Sequence, residues 1–265
     1  MPLSRLVDEL RFPLRTVGFA GLTFTHYGLL ELDCARSPSG EREQLLHKWM
    51  HRYGQALVQL FGVDVRAGGE HVGAGAQYPG TDARGRGRLF VMNHRSGLDV
   101  LVTLAHFECT ILSRADLARW PVIGVAARRA GVLFVDRGSR SSGAASVNAM
   151  TTALEGGRAV MVYPEGTTFA GDEVRAFRQG AFNAARRAEA EVVPVGIAYG
   201  GSDAAYMDES FVDHMKRVSR AQKTPVAIEV GEPIPPSTDA DGLRLAAHER
   251  VQALVHRARA ALEGV

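Results

Sequence analysis

From Leu89 onward the chain alternates between short uninterrupted apolar runs and longer stretches of helical period. The runs Leu89–Met92, Cys109–Leu112, Gly131–Val135, Ala159–Tyr163, Val192–Ala198 and Val226–Val230 predict strands. Leu98–Phe107, Val122–Arg129, Ser139–Leu154 and Gln179–Ala190 between them predict helices. Strands that are apolar throughout, separated by helices, imply a mostly parallel central sheet covered on both faces, an α/β fold. Upstream, Gly62-Val63-Asp64-Val65-Arg66 alternates as a strand does, and residues 67–88 form a polar, Gly-rich connector. At the far end, Leu243, Ala247, Val251, Leu254, Val255, Ala258 and Leu262 share one face of a closing amphipathic helix.

The first third of the chain follows a different pattern. Thr16 to Leu30 carries no Asp, Glu, Lys or Arg and is preceded by Arg5, Arg11 and Arg15. Such a helix reaches about 22 Å, short of a hydrocarbon core of about 30 Å, so a spanning helix is not expected. No A-x-A-like cleavage site follows it, and Glu31-Leu32-Asp33 lacks the small residues expected before a lipid-modified Cys34. An ordinary buried helix is the rival reading; a helix lying in the membrane interface, its basic flank favouring an anionic surface, is the one taken. Glu41 to Phe61 is a second helix, with Trp49 and Tyr53 beside Lys48, His51 and Arg52. That mixture suits a membrane–water boundary or a core helix with a basic edge. The expected layout is an N-terminal membrane-interface helical pair over residues 1–62 and an α/β domain over 63–265.

Composition narrows the class. With 46% hydrophobic and 23% charged residues, 265 residues can bury a sizeable core. A formal net charge of +2 gives no basic signature, so no nucleic-acid partner is expected. Lys occurs only at 48, 216 and 223, so the abundance of Arg is not taken as a phosphate signal. Two cysteines, Cys34 and Cys109, are too few for a disulfide framework. No His/Cys cluster has metal-ligand spacing, and no metal or cofactor is expected.

The chemistry gathers at strand ends. Leu89–Met92 runs into Asn93-His94-Arg95-Ser96-Gly97-Leu98-Asp99. On one continuous helix His94 and Asp99 would point about 140° apart. They meet only if His94 precedes a helix and Asp99 lies in its first turn, a bend for which Gly97 offers freedom. Gly131–Val135 runs into Asp136-Arg137, and Ala159–Tyr163 into Pro164-Glu165-Gly166-Thr167-Thr168. Phe177-Arg178-Gln179-Gly180-Ala181-Phe182 opens the next helix. The carboxyl ends of parallel strands share one edge, where ligands bind. Arg beside a helix start there makes an anion site. Taken singly these residues read as surface charges and turn formers; their shared edge favours a functional site.

This constellation resembles the glycerophospholipid acyltransferases, especially the 1-acylglycerol-3-phosphate acyltransferases, over about Leu60 to Pro233. The family's NHxxxxD is Asn93, His94 and Asp99; its F-x-D-R is Phe134-Val135-Asp136-Arg137. Its FPEGT is similar to Tyr163-Pro164-Glu165-Gly166-Thr167, and Val193-Pro194-Val195-Gly196-Ile197 is the fourth motif. Phe177–Phe182 is similar to the family's FKKGAF, whereas Thr168 stands where the family more often has Arg.

The resemblance implies acyl transfer from an acyl-CoA or acyl carrier protein thioester to the sn-2 hydroxyl of 1-acylglycerol-3-phosphate, giving phosphatidic acid without an acyl-enzyme. His94 would be the general base and Asp99 its orienting partner; Arg137 and Arg178 would bind phosphate, and Glu165, Gly166 and Thr167 would shape the acceptor site. The expected location is the cytoplasmic face of a membrane, held peripherally or monotopically. Other acceptors, glycerol-3-phosphate or another lyso-lipid, remain open. So do two remoter readings: a non-catalytic lipid-binding protein, and a serine hydrolase using Ser202 in Gly200-Gly201-Ser202-Asp203-Ala204.

Overall fold

The computed structural model describes residues 3–38, 42–69, 77–120, 123–129, 132–135 and 140–263. Its strands are β1 (Val63–Gly68), β2 (Leu89–Met92), β3 (Thr110–Arg114), β4 (Leu133–Val135), β5 (Val160–Val162), β6 (Val192–Tyr199) and β7 (Thr224–Val230). Together they form a seven-stranded sheet in the order β1-β7-β6-β2-β5-β3-β4. Every described pairing is parallel except β6 with β7, so β2 to β6 point their carboxyl ends the same way. The uninterrupted apolarity of the central strands now has its cause. Phe90, Met92, Met161, Val193 and Val195 pack into one layer. Leu89, Val91, Val160, Val162 and Val192 pack into the layer on the other side.

Helices cover both layers. On the first lie α2 (Arg42–Phe61) and α3 (Asp99–His106). On the second lie α5 (Arg140–Glu155), α6 (Gly180–Ala188) and α8 (Ala240–Glu263). Tyr53, Leu57, Val58 and Phe61 of α2 belong to the same core as the sheet, so the change of pattern at residue 62 is no gap in the packing. The short helix α4 (Ile123–Arg129) follows β3 through a 3-10 turn.

The N-terminal helix α1 runs from Leu3 to Arg36, well beyond the uncharged stretch and through Pro13. Phe19 and Leu22 pack on the core, and the Thr23 hydroxyl lies 2.6 Å from the Tyr53 hydroxyl. Trp49 Nε1 donates to Asp33 Oδ2 at 2.9 Å. Arg11 and Arg15 of the basic flank are used differently from the membrane-facing role expected of them. Arg15 is buried and donates to the carbonyls of Ser219, Ala221 and Gln222 at 2.8, 2.9 and 3.3 Å. Arg11 bonds Asp8 and the Arg220 carbonyl. What α1 turns outward is apolar: Val7, Leu10, Leu14, Val17, Phe24, Leu29 and Leu32 are all exposed. Among the described residues no helix is long and apolar enough to cross a membrane.

One helix is absent from the sequence-based expectation: α7, Phe211–Val218, is only eight residues long. Its legible sign is Ser210-x-x-Asp213, where Ser210 Oγ accepts the Asp213 N–H and caps the helix.

Candidate active site

The sheet edge formed by the ends of β2, β5 and β6 brings the motif residues together. His94 precedes α3 and Asp99 is its first residue, as the angular argument requires. His94 Nδ1 lies 2.6 Å from Asp99 Oδ2. That oxygen also accepts the N–H groups of Arg95 and Ser96, at 2.7 and 3.0 Å. Asp99 Oδ1 accepts the Tyr199 hydroxyl at 2.5 Å. A fully buried carboxylate thus has four donors, and the loop from His94 to Asp99 closes around it. With Nδ1–H given to Asp99, Nε2 keeps its lone pair, on a ring whose side chain is 21% exposed.

The ring is held from further directions. Tyr163 stacks on it at 4.2 Å and 19°, and its own hydroxyl lies 2.9 Å from Thr103 Oγ1. The Asn93 amide bonds both the N–H and the carbonyl of Ile197, at 2.8 and 2.9 Å. It extends the β2–β6 pairing past Met92 and so aligns the strand that carries Tyr199. Burial and the nearby Asp99 push the Tyr199 hydroxyl well above its ordinary pKa, so it remains a donor.

Gly97 has a different role from the one expected. It is not among the described glycines with positive φ. A Cβ there would lie 3.1–3.3 Å from Met215, Phe211 and His214, so glycine is present for the close approach of α7.

Glu165 sits beneath the loop. Its side chain is fully buried and pairs with Arg95 Nη1 at 2.9 Å; Arg95 is itself buried. Glu165 also accepts the N–H groups of His94 and Arg175, at 2.7 and 2.8 Å. Arg95 spends its remaining donors on the carbonyls of His94, Gly171 and Glu173. Glu165 therefore ties the end of β5 to the end of β2 and presents no free face to an acceptor. Arg95 was missed because a charged residue inside a motif loop reads as exposed; its buried partner lies 70 residues away.

Of the other expected site residues, Gly166 takes φ +82° and Thr167 is exposed. The exposed Arg178 lies against Gly166: an added Cβ would fall 2.3 Å from its Nε. The Arg178 N–H donates to the Pro164 carbonyl at 2.8 Å. Arg137 and Asp136 lie outside the described residues. Gly200–Ala204 leaves β6 in a 3-10 turn over Ser202–Ala204, and α7 begins only at Phe211, so the strand-to-helix turn of a nucleophile elbow is not formed. Among the described residues no three His, Cys, Asp or Glu side chains group as metal ligands.

Comparison with known proteins finds similarity over most of the chain. The profile of the family described as Acyltransferase matches residues 76–198. A lyso-ornithine lipid O-acyltransferase of Pseudomonas aeruginosa is 32% identical over 239 residues, covering 86% of each chain. A 1-acyl-sn-glycerol-3-phosphate acyltransferase of Borreliella burgdorferi is 35% identical over 112 residues, covering 41% of this chain and 44% of that one. In fold, the chain is similar to the 1-acyl-sn-glycerophosphate acyltransferase PlsC of Thermotoga maritima, with TM-score 0.71, 18% identity and 96% coverage of both chains.

The buried Arg95–Glu165 pair makes a stability prediction. Glu165→Gln leaves the Arg95 charge unpaired and should cost about 3–5 kcal/mol in urea unfolding. Thr167→Ala, at an exposed position, should change stability by less than about 0.5 kcal/mol. Equal stability of the two variants would contradict the organising role assigned to Glu165.

Proposed function

The chain belongs to the glycerophospholipid acyltransferase family, and on that premise we propose that it acylates a lyso-lipid with an ornithine headgroup at a membrane surface. The donor is an acyl-CoA or acyl carrier protein thioester. The observation that carries the chemistry is the His94–Asp99 pair at 2.6 Å, with Nε2 of a partly exposed ring left as a base. Nε2 takes the proton of the acceptor hydroxyl as its oxygen attacks the thioester carbonyl. The C–S bond breaks when the tetrahedral intermediate collapses, and the imidazolium returns its proton to the thiolate. Asp99 stabilises the imidazolium in between and holds the ring in one tautomer.

Three observations support the headgroup. The Pseudomonas aeruginosa lyso-ornithine lipid O-acyltransferase is similar over most of both chains. Thr168 removes a cation that the family more often carries. In the segment bonded to Glu165 the charges are mixed: Arg175, over the Phe169 ring at 5.4 Å, has Glu173 only 3.7 Å away. Ornithine acylated on one amine keeps one carboxylate and one ammonium, which suits a mixed pair. A phosphomonoester, with about −1.5 to −2 charges, needs a denser cationic cradle. Lysophosphatidate, giving phosphatidic acid, is the second reading, favoured by the exposed Arg178 against Gly166.

Membrane binding is proposed from the outward face of α1. Its exposed apolar positions from Val7 to Leu32, at about 100° per residue, fall on one side of the helix and form a stripe about 37 Å long. Because Arg11 and Arg15 are engaged within the protein, apolar insertion and not charge is the main attraction. The face we propose is the cytoplasmic one.

His94→Ala should lower the rate by at least about 10²-fold with circular dichroism unchanged, and Asp99→Asn should lose much of it. Near-normal turnover by folded His94→Ala would remove the mechanism. In a panel with either donor, turnover should be faster on lyso-ornithine lipid than on lysophosphatidate. Arg178→Ala should raise KM about several-fold with little change in kcat, as expected for lost binding. A preference for lysophosphatidate, with Arg178→Ala most damaging on that acceptor, would install the second reading. Replacing Leu14, Val17 and Phe24 by Gln should cut partitioning into neutral phosphatidylcholine vesicles at least about tenfold. Unchanged partitioning would eliminate α1 as the anchor.

A further inference from the structure

A second histidine touches the loop from His94 to Asp99, and the mechanism above does not use it. His214 of α7 is fully buried. Its Nε2 lies 3.0 Å from the Gly97 nitrogen and 3.0 Å from Ser96 Oγ. A backbone N–H can only donate, so Nε2 must carry a lone pair and Nδ1 the proton. Nδ1 lies 3.1 Å from Glu209 Oε1, which accepts that proton, and 3.2 Å from Arg217 Nη2, whose hydrogen goes to the same carboxylate oxygen. Arg217 bonds Glu209 and holds its carboxyl down to about 2, so the acceptor remains ionised. Tyr206 stacks on the imidazole at 4.4 Å, and its N–H donates to the Arg95 carbonyl at 2.7 Å. Residues 206–214 thus grip the loop at Arg95 and at Gly97, on either side of Ser96, whose own N–H reaches Asp99.

We propose that His214 is a positioning residue for the His94–Asp99 pair, serving as a neutral hydrogen-bond acceptor beneath Gly97. A protonated ring would set donor against donor at the Gly97 N–H, and the peptide that orients Ser96 toward Asp99 would lose its anchor. The charged groups facing the ring are Glu209, Arg217 and Asp99. Burial lowers the His214 pKa, Arg217 lowers it further, and the two carboxylates only partly oppose them. The folded value therefore lies below the unfolded value of about 6.5. The neutral ring's contribution to stability is complete above about 6.5 and is lost as pH falls toward the folded value.

The inference rests on His94 being the base but not on which lyso-lipid is acylated. It is tested on the full-length protein with His214→Gln, which keeps an acceptor near Nε2 and cannot titrate, and His214→Leu, which has no acceptor. His214→Leu should lower kcat at least about tenfold with KM little changed, and should shift or broaden the His94 Nδ1 proton resonance. His214→Gln should restore that resonance and keep kcat within about threefold of the parent, since the acceptor is retained. Between pH 6.5 and the folded value, the parent's stability should fall more steeply than that of His214→Gln. Full kcat in His214→Leu with an unmoved His94 resonance would overturn the proposal. So would equal losses of kcat in both variants that merely follow their losses of stability. If His214→Leu fails to fold, His214→Gln with a displaced resonance, or with the parent's pH slope, would do the same. An active His94→Ala would instead strike the base assignment, because the resonance reports position without turnover.

Discussion

A carboxylate with no contact to water must find its hydrogen bonds inside the protein, and Asp99 is such a group. Its four donors come from His94, Arg95, Ser96 and Tyr199, so satisfying one buried charge fixes the loop, the imidazole tautomer and the end of β6 together. The geometry of the His94–Asp99 pair is in this sense a by-product of electrostatic necessity. Any displacement of the loop that turned His94 away would also leave part of the carboxylate unpaired. Such coupling makes the arrangement stiff, as the proposed role of His94 as a base within hydrogen-bond reach of a bound hydroxyl requires.

The same logic is repeated one layer down. Arg95 and Glu165 are both buried, and their pairing joins segments that follow β2 and β5. Each also bonds backbone groups, so every nitrogen of the guanidinium and both oxygens of the carboxylate have a partner within the protein. A buried ion pair is poor evidence of stabilisation against an apolar alternative. Here it serves registration: Glu165 bonds the His94 N–H directly, and residues 171–175 are drawn in beside it. The exposed charges carried by that segment, Glu173 and Arg175, are consequently held beside the Arg95–Glu165 pair.

The N-terminal helix has two unlike faces. Its inner face is sewn to the body by Thr23–Tyr53, and Arg15 caps the carbonyls that follow α7. Its outer face is a line of exposed apolar side chains. A helix so firmly attached moves with the whole molecule, so whatever holds α1 also holds the orientation of the sheet edge. Arg15 further links α1 to the end of the short helix whose His214 supports the motif loop.

Much of the fold was legible because its cause is local. A strand buried on both faces must be apolar throughout, and residues 89–92, 160–162 and 192–199 are nearly so. The His94–Asp99 bend followed from helix geometry alone, and the shared strand edge from parallel topology. Helix α7 stayed hidden because eight residues give too few turns for a periodic signal. The flank of Arg11 and Arg15 looked like a membrane contact because sequence shows charge but not what lies opposite it. Gly97 looked like a hinge because crowding by α7 comes from residues more than 100 positions away. Arg95, Tyr199 and His214 entered the site for the same reason. Sequence by itself determined where the polar motifs fall along the chain and which segments must be buried, since both depend on residue type and short-range period. Only tertiary structure decided which charges face each other and which are spent on backbone, because burial and pairing depend on distant partners.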